Sequence, residues 1–401
     1  MRKLLLTSTS VVAVAFASQA FAAGSSTNLL QTGANHQATI DQTGAAGGQV
    51  GVVGGWAFTQ ENGTGAGGNV ISITQTNQGN KVGVNTQSWQ SGTENAANIV
   101  QSSNPAAPPA VLSATNNQIS LQQTGYKNST DIKQINSGGY VEPTNNVNVV
   151  QLGALNIVSA SQNGQAATTT VTQWNNNNRL YSDQHTHSQA TVLQWNDGGN
   201  GSGANTIYNT QFGGTAAKLN VALQYGHDNT IYNTQAPNSL LDVTQQSGSF
   251  LIIDSVQNGA TSKEGNKAYV TSQDGTNSRI INRQSGTQQY NNNNTVTFLQ
   301  SGGDQLASNT QTGRYNNATF YQSGTVNQAY LLQSGDSNTA TATQLNYNSY
   351  ASLSQTGSSN NVVSWQNGTG NQNISYVTQS SNGNTATASQ NGSGNISNIK
   401  Q

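Results

Sequence analysis

The sequence predicts an all-β fold, a β-solenoid of about fifteen stacked strand-turn-strand coils forming two facing parallel sheets, and three observations carry that expectation. First, a glutamine returns every eleven residues: Gln300, Gln311, Gln322, Gln333, Gln344, Gln355, Gln366, then, after one 13-residue step, Gln379, Gln390 and Gln401. Second, the residues between these glutamines alternate with period two, as in Asn338-x-Ala340-x-Ala342-x-Gln344. On a strand those four side chains share one face, whereas a helix would scatter them around its circumference. Third, only 33% of the 401 residues are hydrophobic and 7% are charged, too little oil for an ordinary core and too little charge for a typical disordered chain. A short fixed period then means stacked units, none of which buries its own face alone.

Each eleven-residue step divides into a strand and a turn. The strand half reads N-x-h-x-h-x-Q, with h small or aliphatic, at Asn327 to Gln333, Asn360 to Gln366, Asn384 to Gln390 and Asn395 to Gln401, and earlier at Asn95 to Gln101 and Asn156 to Gln162. The turn half, as in Gln333-Ser-Gly-Asp-Ser-Asn338, is built of residues that tolerate tight reversal. Two steps make a 22-residue coil, and coils stack about 4.8 Å apart. Buried amides would each cost roughly 2–7 kcal/mol unpaired. Stacking identical amides lets each bond to the coil above and below, which is what makes their burial tolerable. The candidate self-assembly ladder is therefore Gln311, Asn316, Gln322, Asn327, Gln333, Asn338, Gln344, Gln355, Asn360, Gln366, Asn384, Gln390, Asn395 and Gln401.

The glutamine anchors extend back to Gln31, about thirty in all, for a stack on the order of 70 Å. Longer steps interrupt the first half, and insertions are expected near 43–59, 102–122, 135–147, 196–205 and 258–266. Pro105, Pro108 and Pro109 in the second of these cannot serve a central strand. Residues 1–22 combine Arg2 and Lys3, an apolar stretch through Phe16, and small residues at Ala20 and Ala22. They read as a secretory signal cleaved after Ala22, and no other segment reads as a membrane span. Cysteine is absent, so an exported chain would rely on backbone and side-chain bonding rather than disulfides. The formal net charge of −1 and the lack of a basic run argue against nucleic acid as a partner.

Gln, Gly two residues on, Asn five on and Gln eleven on, in tandem behind a secretory signal, resembles the curlin repeat of curli fibre subunits. The likeness covers nearly all of residues 23–401, although the family's unit begins with Ser where this chain mostly places Asn. The resemblance implies a secreted functional amyloid, a major fibre subunit of the biofilm matrix exposed at the cell surface and serving adhesion. It also implies partners: further copies of the chain in a homopolymeric fibre, a nucleator subunit, periplasmic chaperones and an outer-membrane secretion pore. No cofactor is implied.

No residue cluster points to catalysis or metal. Among the four histidines only His185-x-His187 near Asp183 has metal-compatible spacing, and one such pair supplies too few ligands. Asp41, Asp131, Asp254 and Asp304 are scattered singly, so no carboxylate pair for hydrolysis can be named. Serine and threonine abound without a matched histidine and acid. Charges such as Lys127, Lys133, Arg179, Asp228, Asp242, Asp274, Arg314 and Asp336 read as solvated surface or as gatekeepers against premature aggregation. A final repeat with neither charge cluster nor proline to cover its edge favours end-to-end polymerisation. The alternative is a secreted ice- or surface-binding solenoid displaying Thr339, Thr341 and Thr343; a β-helical polysaccharide-degrading enzyme would need charges clustered in a groove, which the sequence lacks.

Overall fold

The computed structural model describes residues 26–401 apart from 43–47, 52–56, 62–66, 77–78, 85–86, 104–116, 137–144, 165–166, 186, 196–202, 213–216, 259–264, 287–292 and 369–371. The leader expected over 1–22 lies outside the described residues, as do the middles of four of the five expected insertions; the middle of 43–59 is described and holds the short strand Gln49–Val50. Where the flanks of those insertions are described, some are already strand: Gln118–Tyr126 begins inside 102–122, and Phe58–Glu61 inside 43–59.

All regular structure among the described residues is β, and strands pair in parallel, each with the strand one coil away. This is the β-solenoid that the eleven-residue cadence predicts. The chain forms two compact units, residues 1–166 with 170–176, and 167–169 with 177–401. In the first, one sheet runs Gln37–Asp41, Val70–Thr76, Ala96–Ser103, Ser129–Asn136, Ile157–Asn163. In the second, the corresponding sheet runs from Arg179–His185 to Ile396–Lys400, and its companion from Gln189–Trp195 to Thr385–Asn391.

About 11 turns carry an unbroken strand on both faces. The others have one face split in two, as in Ser26–Thr27 with Leu29–Thr32, Gln49–Val50 with Phe58–Glu61, and Lys81–Val82 with Trp89–Thr93. Leu240–Val243 with Gln246–Ser249 is the case in the second unit, and the next coil, Lys267–Thr276, carries a β-bulge. There the pairing skips a residue between Val270 and Ser272, so Thr271 is the extra residue of a β-bulge.

Alternation decides the core. In Gln328–Asp336 the inward residues Ala329, Leu331 and Gln333 are buried, while Leu332 is exposed. Most inward apolar positions hold Ala, Val, Ile or Leu, as expected. Phe298 and Phe320, however, are fully buried and stack with ring centroids 5.0 Å apart. In-register stacking gives each a flat partner, and burying such a side chain stabilises by about 1.5–3 kcal/mol.

The turns stack as tightly as the strands. Gly335 lies at φ 111, and a Cβ there would sit 2.0 Å from the carbonyl oxygen of Gly357 one coil on. The residue before many of the turn asparagines also takes a left-handed conformation, including Tyr315 and Val326 at φ 57 and 60. For β-branched Val326 that is a strained backbone.

Candidate functional site: the axial amide ladders

The inward glutamines form two continuous side-chain ladders in each unit. In the second unit, Nε2 of Gln311 donates to Oε1 of Gln333 at 2.8 Å, Gln333 to Gln355 at 2.9 Å, Gln355 to Gln379 at 3.0 Å and Gln379 to Gln401 at 2.9 Å. On the other sheet Gln322 donates to Gln344 at 2.8 Å, Gln344 to Gln366 at 2.9 Å and Gln366 to Gln390 at 2.9 Å. In the first unit the same bond links Gln31, Gln60, Gln90, Gln123, Gln151 and Gln173 at 2.6 to 3.0 Å.

The second amide hydrogen of many of these glutamines crosses the core. Nε2 of Gln333 donates to the backbone carbonyl of Asn317 at 3.1 Å, Gln344 to that of Gln328 at 2.9 Å and Gln366 to that of Tyr350 at 2.9 Å. Each acceptor lies on the facing sheet. A glutamine thus uses both donors and its acceptor, joining successive coils along the axis and the two sheets across it. Period-two reasoning foresaw the axial bond and missed the cross-sheet one, which depends on the gap between sheets matching the length of a glutamine side chain.

Some asparagines bond amide to amide along the axis, as Nδ2 of Asn128 to Oδ1 of Asn95 at 3.1 Å and Nδ2 of Asn395 to Oδ1 of Asn373 at 3.2 Å, and the backbone of neighbouring turns supplies further partners. Oδ1 of Asn316 accepts the backbone N–H of Asn338 at 3.1 Å, and Oδ1 of Asn338 accepts that of Asn360 at 3.0 Å. Nδ2 of Asn338 donates to the carbonyls of Ser334, in its own turn, and Gly357, in the next, at 3.4 and 2.8 Å. Their role is to staple stacked turns through the backbone, since one methylene fewer leaves the amide beside the turn. Ser349 occupies this position in one coil, where its N–H donates to Oδ1 of Asn327 at 3.0 Å. That position is the one at which the curlin unit carries serine.

Gln311, Asn316, Gln322, Asn327, Gln333, Asn338, Gln344, Gln355, Asn360 and Gln366 are all buried, as is Gln390. Asn384 and Asn395 are half-buried and Gln401 is exposed, because they belong to the last coils of the stack. A further polar column inside the core escaped the sequence reading. Asn282 donates to Ser255 at 3.2 Å and Asn309 to Asn282 at 2.9 Å, at positions where the repeat usually places an aliphatic residue. The column ends against Leu331, where the Oδ1 of Asn309 is buried without a hydrogen-bond partner. The one mark of Asn282 and Asn309 in the sequence, an asparagine two residues before the ladder glutamine, recurs in too few coils to stand out.

Charged groups lie on the outer surface and pair between coils. Arg314 meets Asp336 at 2.5 Å, Arg283 and Arg279 meet Asp254 at 2.6 and 3.6 Å, and Lys127 meets Glu94 at 3.3 Å. The hydrogen bond from Arg314 holds the Asp336 carboxyl below the ordinary range, while burial pushes Asp242 above it. His185 stands 3.7 Å from Asp183 and His187 is exposed; among the described residues no three His, Cys, Asp or Glu side chains form a group able to hold a metal.

Compared with known families, residues 316–345 match the curlin associated repeat. No curated protein matches the chain. The matched stretch contains Gln322, Gln333 and Gln344 and the staples Asn316, Asn327 and Asn338, the same residues that carry the axial and cross-sheet bonds. The stretch that matches the curlin associated repeat is thus also one in which stacked amides carry the axial bonds.

Proposed function

We propose that this protein is the structural subunit of an extracellular, curli-like amyloid fibre that grows by end-to-end addition of copies and serves adhesion within a biofilm matrix. The observation that carries the proposal is the in-register glutamine ladder, in which each buried amide is completed by the same amide one coil away. Such a ladder has no natural size. The last strand, Ile396–Lys400, pairs with Ile374–Gln379, and Ile396 is 73% exposed. A second copy stacked there would extend sheets and ladders by the bonding already used within the chain. A secretory leader, a nucleator, periplasmic chaperones and an outer-membrane pore complete the proposal. The curlin repeat supports a structural role over a catalytic one.

Fibre assembly is tested by diluting purified residues 23–401 from denaturant and following β-rich circular dichroism, electron microscopy and fibre diffraction. Unbranched fibres with a meridional spacing near 4.8 Å, accelerated by preformed seeds, are expected. Persistent monomer across concentrations and times overturns the proposal.

A further inference from the structure

We propose that Ser249, His227 and Asp228 form a nucleophilic serine site on the surface of the second unit, able to take an acyl group from small activated carboxylic esters. Oγ of Ser249 lies 3.0 Å from Nε2 of His227, and Nδ1 of His227 lies 3.1 Å from Oδ2 of Asp228. The other carboxylate oxygen, Oδ1, accepts the backbone N–H of Ala204 at 3.3 Å. This is the connectivity of nucleophile, base and orienting acid that activates a serine. With the carboxylate on Nδ1, the proton sits there and Nε2 is the lone pair facing the hydroxyl.

Serial stacking of the turns holds the constellation in place. His227 and Ser249 are paired residues of adjacent coils, next to the paired Gly226 and Gly248. A Cβ on Gly226 would come within 1.9 Å of the Gly248 carbonyl, so the two turns are held at backbone contact. Asn229 ties the same turns by donating to the carbonyls of Tyr225 and Gly248 at 2.9 and 3.0 Å. The imidazole is bounded by Gly203, where a Cβ would meet His227 Cβ at 2.5 Å, and by Phe250, whose ring stands edge-on at 5.6 Å. About two-fifths of the His227 and Asp228 side chains are exposed, so an ester can reach the site. The sequence hid this grouping because its nucleophile and base are 22 residues apart, one coil of the repeat.

In the reaction, Ser249 Oγ bonds to the ester carbonyl carbon as its proton passes to Nε2 of His227. The bond to the leaving aryl oxygen then breaks, releasing the phenolate and an acyl-serine. The imidazolium gives its proton to solvent; water, deprotonated by the freed Nε2, adds to that carbonyl, and as the bond to Ser249 Oγ breaks the imidazolium returns a proton to Oγ, releasing the carboxylic acid and restoring the serine. The carbonyl oxygen would face solvent, so the substrates are small acyl esters with a good leaving group, which ask least for anion stabilisation.

The probe is p-nitrophenyl acetate, with nitrophenolate release read by absorbance and the acetylated residue located by mass spectrometry on the full chain. Acetyl on Ser249 is expected, with complete loss of that adduct in Ser249→Ala and a slowing of about 100-fold in His227→Gln. Asp228 is a positioning residue, so Asp228→Asn should slow acylation and Asp228→Glu restore it. Ser247→Ala, on the same turn but outside the three, should leave the rate unchanged, and matched circular dichroism of all variants secures the comparison. Equal release by every variant, or acetyl on lysines alone, overturns the assignment.

Discussion

The first coils and the last coils solve one problem with different amounts of chain. Between Gln322 and Gln344, or Gln333 and Gln355, one rung of the ladder takes 22 residues. Between Gln60 and Gln90 it takes 30, and between Gln90 and Gln123 it takes 33, yet these bonds are 2.7 Å, as short as any in the regular region. The face that holds those early rungs is split into short strands, such as Lys81–Val82 and Trp89–Thr93, while the Gln-bearing segment keeps its register. The difference teaches that the amide, rather than the length of the coil, fixes the stack. A buried amide needs its counterpart one coil away, so extra residues must leave the core, whereas the core residues cannot shift without orphaning a donor and an acceptor.

The sharpest test of that lesson interrupts a rung in each region. Gln333→Leu keeps bulk but strands the Nε2 donor of Gln311, the Oε1 of Gln355 and the carbonyl of Asn317, at about 1–3 kcal/mol for each group. Gln90→Leu should cost a similar amount, read as the shift in urea-unfolding midpoint, because Gln90 also receives from Gln60 and donates to Gln123. A negligible loss for Gln90→Leu beside a large one for Gln333→Leu would mean that the early coils are held by something other than the amide.

Glycine gives the next effect. In Gly335→Ala the new methyl meets the Gly357 carbonyl, and the backbone remains at φ 111; we expect destabilisation of about 1–3 kcal/mol from the conformation, with the clash adding to it. Gly383→Ala has the left-handed backbone, φ 72, but open space around the added carbon, so only about 1–2 kcal/mol from the conformation is expected. Thermal unfolding of the two side by side separates stacking of the turns from backbone strain, and equal losses would remove the role assigned to turn stacking.

Acid titration should give smaller effects of opposite sign. Asp336 titrates below its unfolded value because of Arg314, so its contribution is present above the ordinary carboxylate range and is lost as pH falls through the depressed folded value. With both side chains about a third exposed, Asp336→Asn should cost only about 0–1 kcal/mol at neutral pH. Asp242 is raised by burial, so its charged form opposes folding at neutral pH and the penalty disappears as pH falls below the raised value. Asp242→Asn should therefore stabilise at pH 7, and both variants should converge on the parent protein in acid. Denaturation midpoints across that range check both signs. Smallest of all, Thr341→Ser on the outer face should change stability by less than about 0.5 kcal/mol in the same assay.

Legibility followed repetition. Gln333 and Gln344 could be placed in the core, and Thr341 on the outer face, because each neighbouring coil repeats the same period-two row, and many copies average out the accidents of any one. The bulge at Thr271 and the buried Asn282 and Asn309 were not legible, since each departs from the consensus in only one or a few coils. The left-handed Val326 gave no local sign, because valine disfavours that conformation and the stacked turn imposes it.

By itself the sequence determined the strand period, the inward face and the axial partnering of glutamines, because these depend on spacing along a strand and on the cost of an unpaired buried amide. The tertiary structure decided what depends on distances between chain segments. The gap between the sheets let glutamines such as Gln333 reach a facing carbonyl, and the depth of the turn gave asparagine backbone partners beside the amide one coil away. One coil of separation brought Ser249 to His227. Period fixes which way a side chain points; only the packed backbone fixes what lies within its reach.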